Sequence, residues 1–138
     1  MTFVVTIYQP AHFDGVDALW RTVFPGDPPW NAAEVAVPAK LALNDGLLLV
    51  ALDGGAVVGT IIAGWDGHRG WLYALAVHPD RRRAGIARAL VDEALTRLRS
   101  LGCTKTNLQV RAGNDAAVAF WRSVDFEVEE RVSMGRRL

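Results

Sequence analysis

The densest positive cluster of the chain lies where a run of apolar strand formers gives way to a helical pattern. Three arginines at 81–83 are followed at once by Ala84, Gly85, Ile86 and Ala87. Free main-chain N–H groups and the positive end of the helix dipole converge at the start of a helix, and small residues there let an anion approach the backbone. The spacing Arg-x-x-Gly-x-Ala therefore indicates a phosphate or diphosphate site, with a plain solvated turn as the alternative.

Two common nucleotide-binding loops do not fit this segment. A Walker A loop requires Gly-Lys followed by Ser or Thr, which is missing. A dinucleotide-binding loop requires three spaced glycines after the first strand, whereas this loop follows the fourth predicted strand and has one glycine in place. We therefore expect a phosphate-bearing ligand of another kind.

Length and composition exclude several other classes of protein. The 138 residues predict a single domain over 1–138, and fifteen basic residues balance fifteen acidic ones, which argues against nucleic-acid binding. No apolar stretch approaches the ~20 residues that span a bilayer, and the N-terminus lacks the pattern of a signal peptide. Cys103 is the single cysteine, which fits a reducing compartment. We expect a cytoplasmic protein with no membrane, nucleic-acid or metal site.

Apolar periodicity predicts a domain of the α/β class with a mixed, mostly antiparallel sheet. The predicted strands span residues 3–8, 46–52, 56–65, 71–77, 106–110 and 126–132. The predicted helices span about 14–23, 32–43, 85–100 and 114–124. Asp14 and Asp17 resemble an N-cap pair for the first helix, Pro38 is expected to interrupt the second, and Asn114 is expected to cap the last.

Three segments of the chain resemble segments of the GNAT acetyltransferases. The family's signature Q/R-x-x-G-x-G/A lies between the fourth strand and the third helix, and LAVHPDRRRAGIARAL at 75–90 is similar to that segment. NDAAVAFWRSVDF at 114–126 looks like the family's N-x-x-A-x-x-F/L-Y-x-x-x-G-F, and the turn GWDGHRG at 64–70 resembles that of a small group of bacterial single-domain members. The order of elements also matches from residue 3 to about 132.

The resemblance implies the fold and the activity of that family. The fold would be a twisted, mostly antiparallel sheet of about six to seven strands flanked by four helices. The activity would be that of an acetyl-CoA-dependent N-acetyltransferase, which moves the acetyl group directly to a primary amine of a small molecule or a peptide N-terminus. Acetyl-CoA would then be the ligand whose diphosphate is held by residues 81–87, the arginine-rich loop.

The coenzyme-binding residues that the resemblance implies lie in two parts of the chain. Main-chain groups of the fourth strand would pair with the pantetheine arm like an added strand, and the arginine-rich loop would surround the diphosphate with charge-assisted hydrogen bonds. The last helix would contact the coenzyme at its start and flank the acetyl end with two aromatic rings, of which Phe120 could equally serve core packing. The residues are Leu75, Ala76, Val77, Arg82, Arg83, Ala84, Gly85, Ile86, Ala87, Asn114, Phe120 and Trp121.

The catalytic residues depart from the family's pattern. Gln109 stands where one branch has a glutamate base, and Tyr73 stands where many members have a glutamate on the fourth strand. Trp121 replaces a tyrosine acid, and its indole can donate a hydrogen bond but is not a workable acid. Asp125 replaces the usual glycine before Phe126. The activity would then need a water-relayed base, and a non-catalytic acyl-CoA-binding module is the alternative.

Tyr73 is the candidate catalytic residue, and a nearby turn is the candidate acceptor site. Two residues before Leu75, Tyr73 is predicted to share its face of the strand, where it could also belong to the core. Asp66, His68 and Arg69 lie six to nine residues before Leu75, roughly 20 Å or more along an extended strand. That is the end opposite the phosphates, where an acceptor would arrive; a tight structural turn is the alternative.

The remaining candidates have weaker signals. Trp30, between the first two helices, could form a wall on the acceptor side or anchor the core. His78 and Cys103 are expected to be structural. Exposed strand edges near the C-terminus would allow a homodimer.

Overall fold

The computed structural model describes residues 2–138. The chain forms two compact units, one ending at Leu108 and one spanning Gln109–Leu138, and the expectation of a single domain stays a prediction. Within residues 2–138 there are four α-helices and one five-stranded sheet. None of the described helices has the length and apolarity that crossing a bilayer requires. The α/β class and the mostly antiparallel sheet are confirmed, with fewer strands than expected.

The first unit contains the whole sheet, in the order β1-β2-β3-β4-β5. Neighbours from β1 to β4 pair antiparallel, whereas β5 pairs with β4 in parallel. Its elements are β1 (Val4–Ile7), α1 (Phe13–Val23), α2 (Ala33–Leu41), β2 (Leu48–Asp53), β3 (Ala56–Trp65), β4 (Gly70–Val77), α3 (Ile86–Ser100) and β5 (Thr106–Asn107). Short 3-10 turns lie at Pro10–His12, Pro29–Asn31 and Pro79–Arg81. The second unit contains α4 (Asp115–Ser123).

Helix α3 packs one apolar stripe against the sheet. Its buried side chains are Ile86, Leu90, Val91, Ala94 and Leu98, at the spacing of one helix face. A Cβ added to Gly59 of β3 would lie 2.9 Å from side-chain atoms of both Ile86 and Leu90. Only a glycine in the strand lets the first turn of α3, and hence the arginine-rich loop before it, lie this close to the sheet.

Helices α1 and α2 cover the opposite face. Their buried side chains join Leu48, Val50 and Ala76 in one core cluster. Since successive strand residues face opposite sides and residues 48–51 are all buried, β2 is covered on both faces. The central strands are thus fixed from two sides, which gives the site a rigid support.

Two predicted strands differ from the structure. The strand expected at 106–110 is limited to Thr106–Asn107, which pair with Gly70 and Trp71. The segment 126–132 was expected to form a final strand, but it has no strand conformation and is mostly exposed. An alternating sequence becomes a strand only when a neighbouring chain accepts its main-chain hydrogen bonds, and no ladder extends to these residues.

The helix boundaries also correct the sequence reading. Helix α1 begins at Phe13 with His12 at the N-cap position, because the 3-10 turn of Pro10 has already set the helical direction. Asp14 therefore lies inside the first turn, and Asp17 pairs with Arg21 at 3.0 Å instead of capping. Pro38 lies inside α2 without ending it.

Strand β4 contains a bulge that the sequence pattern did not predict. Thr60 of β3 is opposite Ala76, whereas Ile62 is opposite Tyr73, so two steps of β3 match three steps of β4. Ala74 has a left-handed φ of +51° at this point, as the first residue of one type of bulge does. The extra residue breaks the alternation, so the expectation that Tyr73 shares a face with Leu75 is wrong. Tyr73 is also 55% exposed and does not belong to the core.

Candidate active site

The arginine-rich loop is anchored at its beginning by two local contacts. The main-chain N–H of Asp80 donates to Nδ1 of His78 at 3.1 Å, and the N–H of Arg81 donates to the carbonyl of His78 at 2.9 Å. The guanidinium of Arg81 forms an ion pair with the carboxylate of Asp53 at the end of β2. His78 thus caps a turn, as expected, and Arg81 fixes the loop to the sheet.

The next residues present main-chain donors and positive charge. Among residues 2–138, the main-chain N–H groups from Arg82 to Ala87 donate no main-chain hydrogen bond, whereas the N–H of Ala89 donates to the carbonyl of Gly85 at 3.0 Å. The side chains of Arg82 and Arg83 form no ion pair with any described residue. This loop and the helix dipole together give a site of positive potential.

Gly85 leaves the space in front of these amides open. Its φ is +82°, and a Cβ placed on it would meet no atom within 4 Å. Because amides at a helix start bind phosphate when the backbone can be approached, the residues present fit a diphosphate. Arg83 also has a left-handed φ, of +63°, which turns the chain sharply just before the helix.

One edge of β4 beside this loop has no strand partner along its second half. The N–H of His78 donates to Val58 of β3 at 2.9 Å, and alternate residues of an antiparallel strand direct their main-chain groups to the same side. The groups of Ala76 therefore face β3, and those of Val77 and Leu75 face the opposite edge. Within the described chain β5 pairs with β4 only at its first two residues.

The open edge agrees with the two strand positions predicted to pair with the pantetheine arm. Leu75 and Val77 present main-chain groups there, as an added strand requires. Ala76 does not, because its main-chain groups face β3 and its methyl group is buried in the core. Ala76 as a coenzyme-binding residue therefore stays a prediction, for a contact other than a main-chain hydrogen bond.

Tyr73 and the turn at Asp66 lie close enough to interact electrostatically. Burial of part of the ring, together with the negative charge of Asp66, raises the pKa of Tyr73. In the turn, Oδ1 of Asp66 accepts hydrogen bonds from the N–H groups of Arg69 and His68, each at 2.7 Å, and these bonds lower the pKa of Asp66. The turn is tight, as the structural alternative predicted. It also places the ionised carboxylate of Asp66 near the neutral phenol of Tyr73.

Trp30 does not anchor the core, which was one of the two alternatives predicted for it. It lies in the 3-10 turn before α2 with 48% of its surface exposed. A tryptophan that anchors a core is buried far more than this. The exposed ring leaves the acceptor-side wall as the remaining prediction for this residue.

The second unit contains the other predicted coenzyme contacts. Oδ1 of Asn114 accepts from the N–H of Ala117 at 3.1 Å, so Asn114 caps α4 as expected. Phe120, Trp121 and Phe126 form edge-to-face pairs with ring centroids 5.2 Å apart, and all three side chains are half-buried. The contacts of Asn114, Phe120 and Trp121 with the coenzyme stay predictions.

Asp125 has the backbone conformation that the family's glycine implies. Its φ is +71°, and the helix end is closed by hydrogen bonds from Asp125 to Arg122 and from Phe126 to Trp121. A left-handed residue after a helix is most often glycine. In the same unit, Nε2 of Gln109 donates to the hydroxyl of Ser133.

Sequence reasoning missed a buried polar contact below β4. Thr60 is completely buried and is hydrogen-bonded to Trp20 of α1 and to Ala74 of the bulge. The sequence did offer one signal, the single hydroxyl group in the apolar run VVGTII at 57–62. A polar group inside a core needs a hydrogen-bond partner, so this hydroxyl indicated a buried hydrogen bond.

Comparison with known proteins identifies the family. The model of the Acetyltransferase (GNAT) family matches residues 13–126. An acetyltransferase of Yersinia enterocolitica is 38% identical over 136 residues, which cover 97% of this chain and 94% of that relative. The chain belongs to the GNAT acetyltransferase family. This confirms the predicted family and makes the protein an acetyltransferase, and it supports acetyl-CoA as the cosubstrate.

Solved structures share the GNAT fold. Ard1 from Thermoplasma volcanium matches with a TM-score of 0.82 at 21% identity, over 94% of this chain and 85% of that one. An aminoglycoside N-acetyltransferase in complex with CoA matches with a TM-score of 0.79 at 20% identity, over 99% of this chain and 95% of that one. At these identities the likeness concerns the fold alone.

Proposed function

We propose that this GNAT protein transfers the acetyl group of acetyl-CoA directly to a primary amine, either of a small molecule or of a peptide N-terminus, in the cytoplasm. The observation that supports this most strongly is the set of unbonded amides from Arg82 to Ala87 beside the open edge of β4. A diphosphate on the amides and a pantetheine arm along the edge would use both features at once. Acetyl-CoA supplies the activated thioester.

The loop residues divide this binding between them. The amides and the helix dipole hold the diphosphate by direction and partial charge, and Arg82 or Arg83 adds charge-assisted hydrogen bonds. Arg81 does not bind the ligand in this proposal, because it is paired with Asp53. The main-chain groups of Leu75 and Val77 hold the arm in the direction of the strand.

The acceptor side of the proposal rests on charge. A lysine-like primary amine, with a pKa of ~10.4, arrives as an ammonium ion, and its neutral form costs roughly 4–5 kcal/mol at pH 7. The ionised carboxylate of Asp66 would attract this cation, although its lowered pKa makes it a poor base. His68, Arg69 and Trp30 would shape the rest of the acceptor site.

Tyr73 acts in the proposal as a neutral hydrogen-bond donor. Its raised pKa keeps the phenol protonated at neutral pH, so it can donate to the leaving sulfur or hold a water through which the proton of the amine passes to the solvent. A thiol is a far stronger acid than an amine or an alcohol (cysteine has a pKa of ~8.5), so the CoA thiolate leaves without a strong acid. We expect Tyr73→Phe to slow transfer more than it weakens coenzyme binding.

The activity is tested by release of the free CoA thiol from acetyl-CoA over a panel of primary amines and peptide N-termini. Turnover with an amine, and its acetylated product by mass spectrometry, would support the proposal. Micromolar coenzyme binding without turnover of any acceptor would favour the second candidate, a non-catalytic acyl-CoA-binding module. That candidate is kept because Gln109 and Trp121 replace the family's base and acid.

A further inference from the structure

Thr60 joins helix α1 to the bulge of β4 through a single hydroxyl group. The indole Nε1–H of Trp20 donates to Oγ1 of Thr60 at 2.8 Å, and the same hydroxyl donates to the carbonyl of Ala74 at 2.9 Å. Thr60 is 0% exposed and Trp20 is 5% exposed. The chain of hydrogen bonds is therefore shielded from water, where such bonds are directional and costly to lose.

The contact fixes the direction of the next amide. A trans peptide is planar, and its N–H and C=O point in opposite directions; no cis peptide occurs among the described residues. With the carbonyl of Ala74 held toward Thr60, the N–H of Leu75 points directly away from it. This is the strand edge at which, among residues 2–138, β4 has no strand partner beyond its first two residues.

The bulge needs such a support. Ala74 has a φ of +51°, which is unfavourable for a residue with a Cβ. A carbonyl that leaves the regular ladder of β3 and β4 would also lack a main-chain partner. The hydroxyl of Thr60 supplies that partner, and Trp20 directs the hydroxyl by occupying its acceptor side.

We propose that Thr60, oriented by Trp20, is a positioning residue that directs the Leu75 amide at the carbonyl oxygen of the acetyl group. The inference rests on the proposed function. An amide held in advance where negative charge develops on a carbonyl oxygen lowers the barrier to acyl transfer. Since CoA without an acetyl group has no such oxygen, Thr60 should affect acetyl-CoA and CoA differently.

The test compares Thr60→Val, which removes the hydroxyl at nearly constant shape, with Thr60→Ser, which keeps it. Titration calorimetry gives the affinity of each protein for CoA and for acetyl-CoA. We expect the wild type to prefer acetyl-CoA by about two- to tenfold, the net effect of one hydrogen bond. Thr60→Val should lose this preference with little change in CoA affinity, and Thr60→Ser should restore it. With an acceptor, Thr60→Val should lower kcat about tenfold or more at a similar KM.

A second variant keeps the test decisive if Thr60→Val fails to fold. Trp20→Phe removes the indole donor but retains the hydroxyl, and it should reduce the preference for acetyl-CoA in part. In both variants the nitrogen-15 and proton resonances of the Leu75 amide should shift, because its peptide plane is no longer held by Thr60. An unchanged preference together with an unchanged Leu75 amide would overturn the inference.

The two proposals fail in different ways. If the wild type binds neither acetyl-CoA nor CoA, the proposed function is wrong. If the wild type binds both ligands but has no preference between them, the proposed function stands and the role of Thr60 is wrong. The same holds if Thr60→Val has the same preference as the wild type. If Thr60→Val weakens both ligands equally, Thr60 has a structural role only.

Discussion

Gly85 is the position at which the diphosphate site can be disrupted most selectively. Its φ is +82° and an added Cβ meets no atom within 4 Å, so a small side chain fits without a clash. A residue other than glycine costs about 1–2 kcal/mol in this conformation, and Asn and Asp tolerate it best. Gly85→Asp and Gly85→Asn share this cost and nearly the same shape, and they differ in one negative charge.

The expected loss of affinity follows from Coulomb repulsion. A carboxylate at position 85 would lie about 5 Å from a phosphate bound to the neighbouring amides, which gives about 3 kcal/mol at an effective dielectric constant of about 20. Salt at physiological strength screens part of this at an open surface. About 2 kcal/mol remains, which corresponds to roughly a 30-fold weaker affinity for CoA in Gly85→Asp than in Gly85→Asn.

Calorimetric titration with CoA at low and high salt measures this difference, and thermal unfolding measures the shared cost. We expect Tm to fall by a few degrees and by the same amount in both variants. The gap in CoA affinity should narrow as salt is added. Equal affinities of the Asp and Asn variants at low salt would show that no phosphate binds beside residue 85, because a phosphate there must be repelled by the added charge.

Three further predictions concern other parts of the chain. Arg83→Ala should weaken CoA binding about tenfold at unchanged stability, whereas Arg81→Ala should lower the free energy of unfolding by about 1 kcal/mol. Titration with CoA measures the first effect and urea unfolding the second. An equal loss of CoA affinity in both variants would contradict the different roles of the two arginines. Since the folded-state pKa of Tyr73 is raised, the contribution of the neutral phenol to stability is complete below about pH 10 and is lost as the pH rises through the raised pKa. Spectroscopic titration of the phenol should show a lower pKa of Tyr73 in Asp66→Asn, which lacks the nearby negative charge. Asp125→Gly should raise the free energy of unfolding by about 0.5–1 kcal/mol by relieving the left-handed φ, and an unchanged Tm would count against it.

Local patterns were sufficient to predict much of the fold. Strand β3 has the predicted bounds, and α3 differs from its prediction by one residue, because alternating apolar residues and a helical stripe each specify one period. The loop between β4 and α3 was located by its arginines and by Gly85. These features depend on residues close together in the chain.

The remaining features depend on distant partners. The bulge in β4 could not be predicted, because Ala74 has the left-handed φ where a glycine would have indicated it, and its support comes from Thr60. The pairing of Asp53 with Arg81 joins residues 28 positions apart, and no local pattern specifies it. The segment 126–132 has the alternation of a strand but no ladder partner, and alternation alone does not supply one.

In the proposed function the amides opening α3 bind the diphosphate of acetyl-CoA. Titration of nitrogen-15-labelled protein with acetyl-CoA, compared with acetyl-pantetheine, tests it most directly, since the second ligand lacks the diphosphate. We predict large shifts of the amides from Arg82 to Ala87 with acetyl-CoA and small ones with acetyl-pantetheine, while Leu75 and Val77 respond to both. If the loop amides do not shift with acetyl-CoA, or shift equally with acetyl-pantetheine, they do not bind the diphosphate.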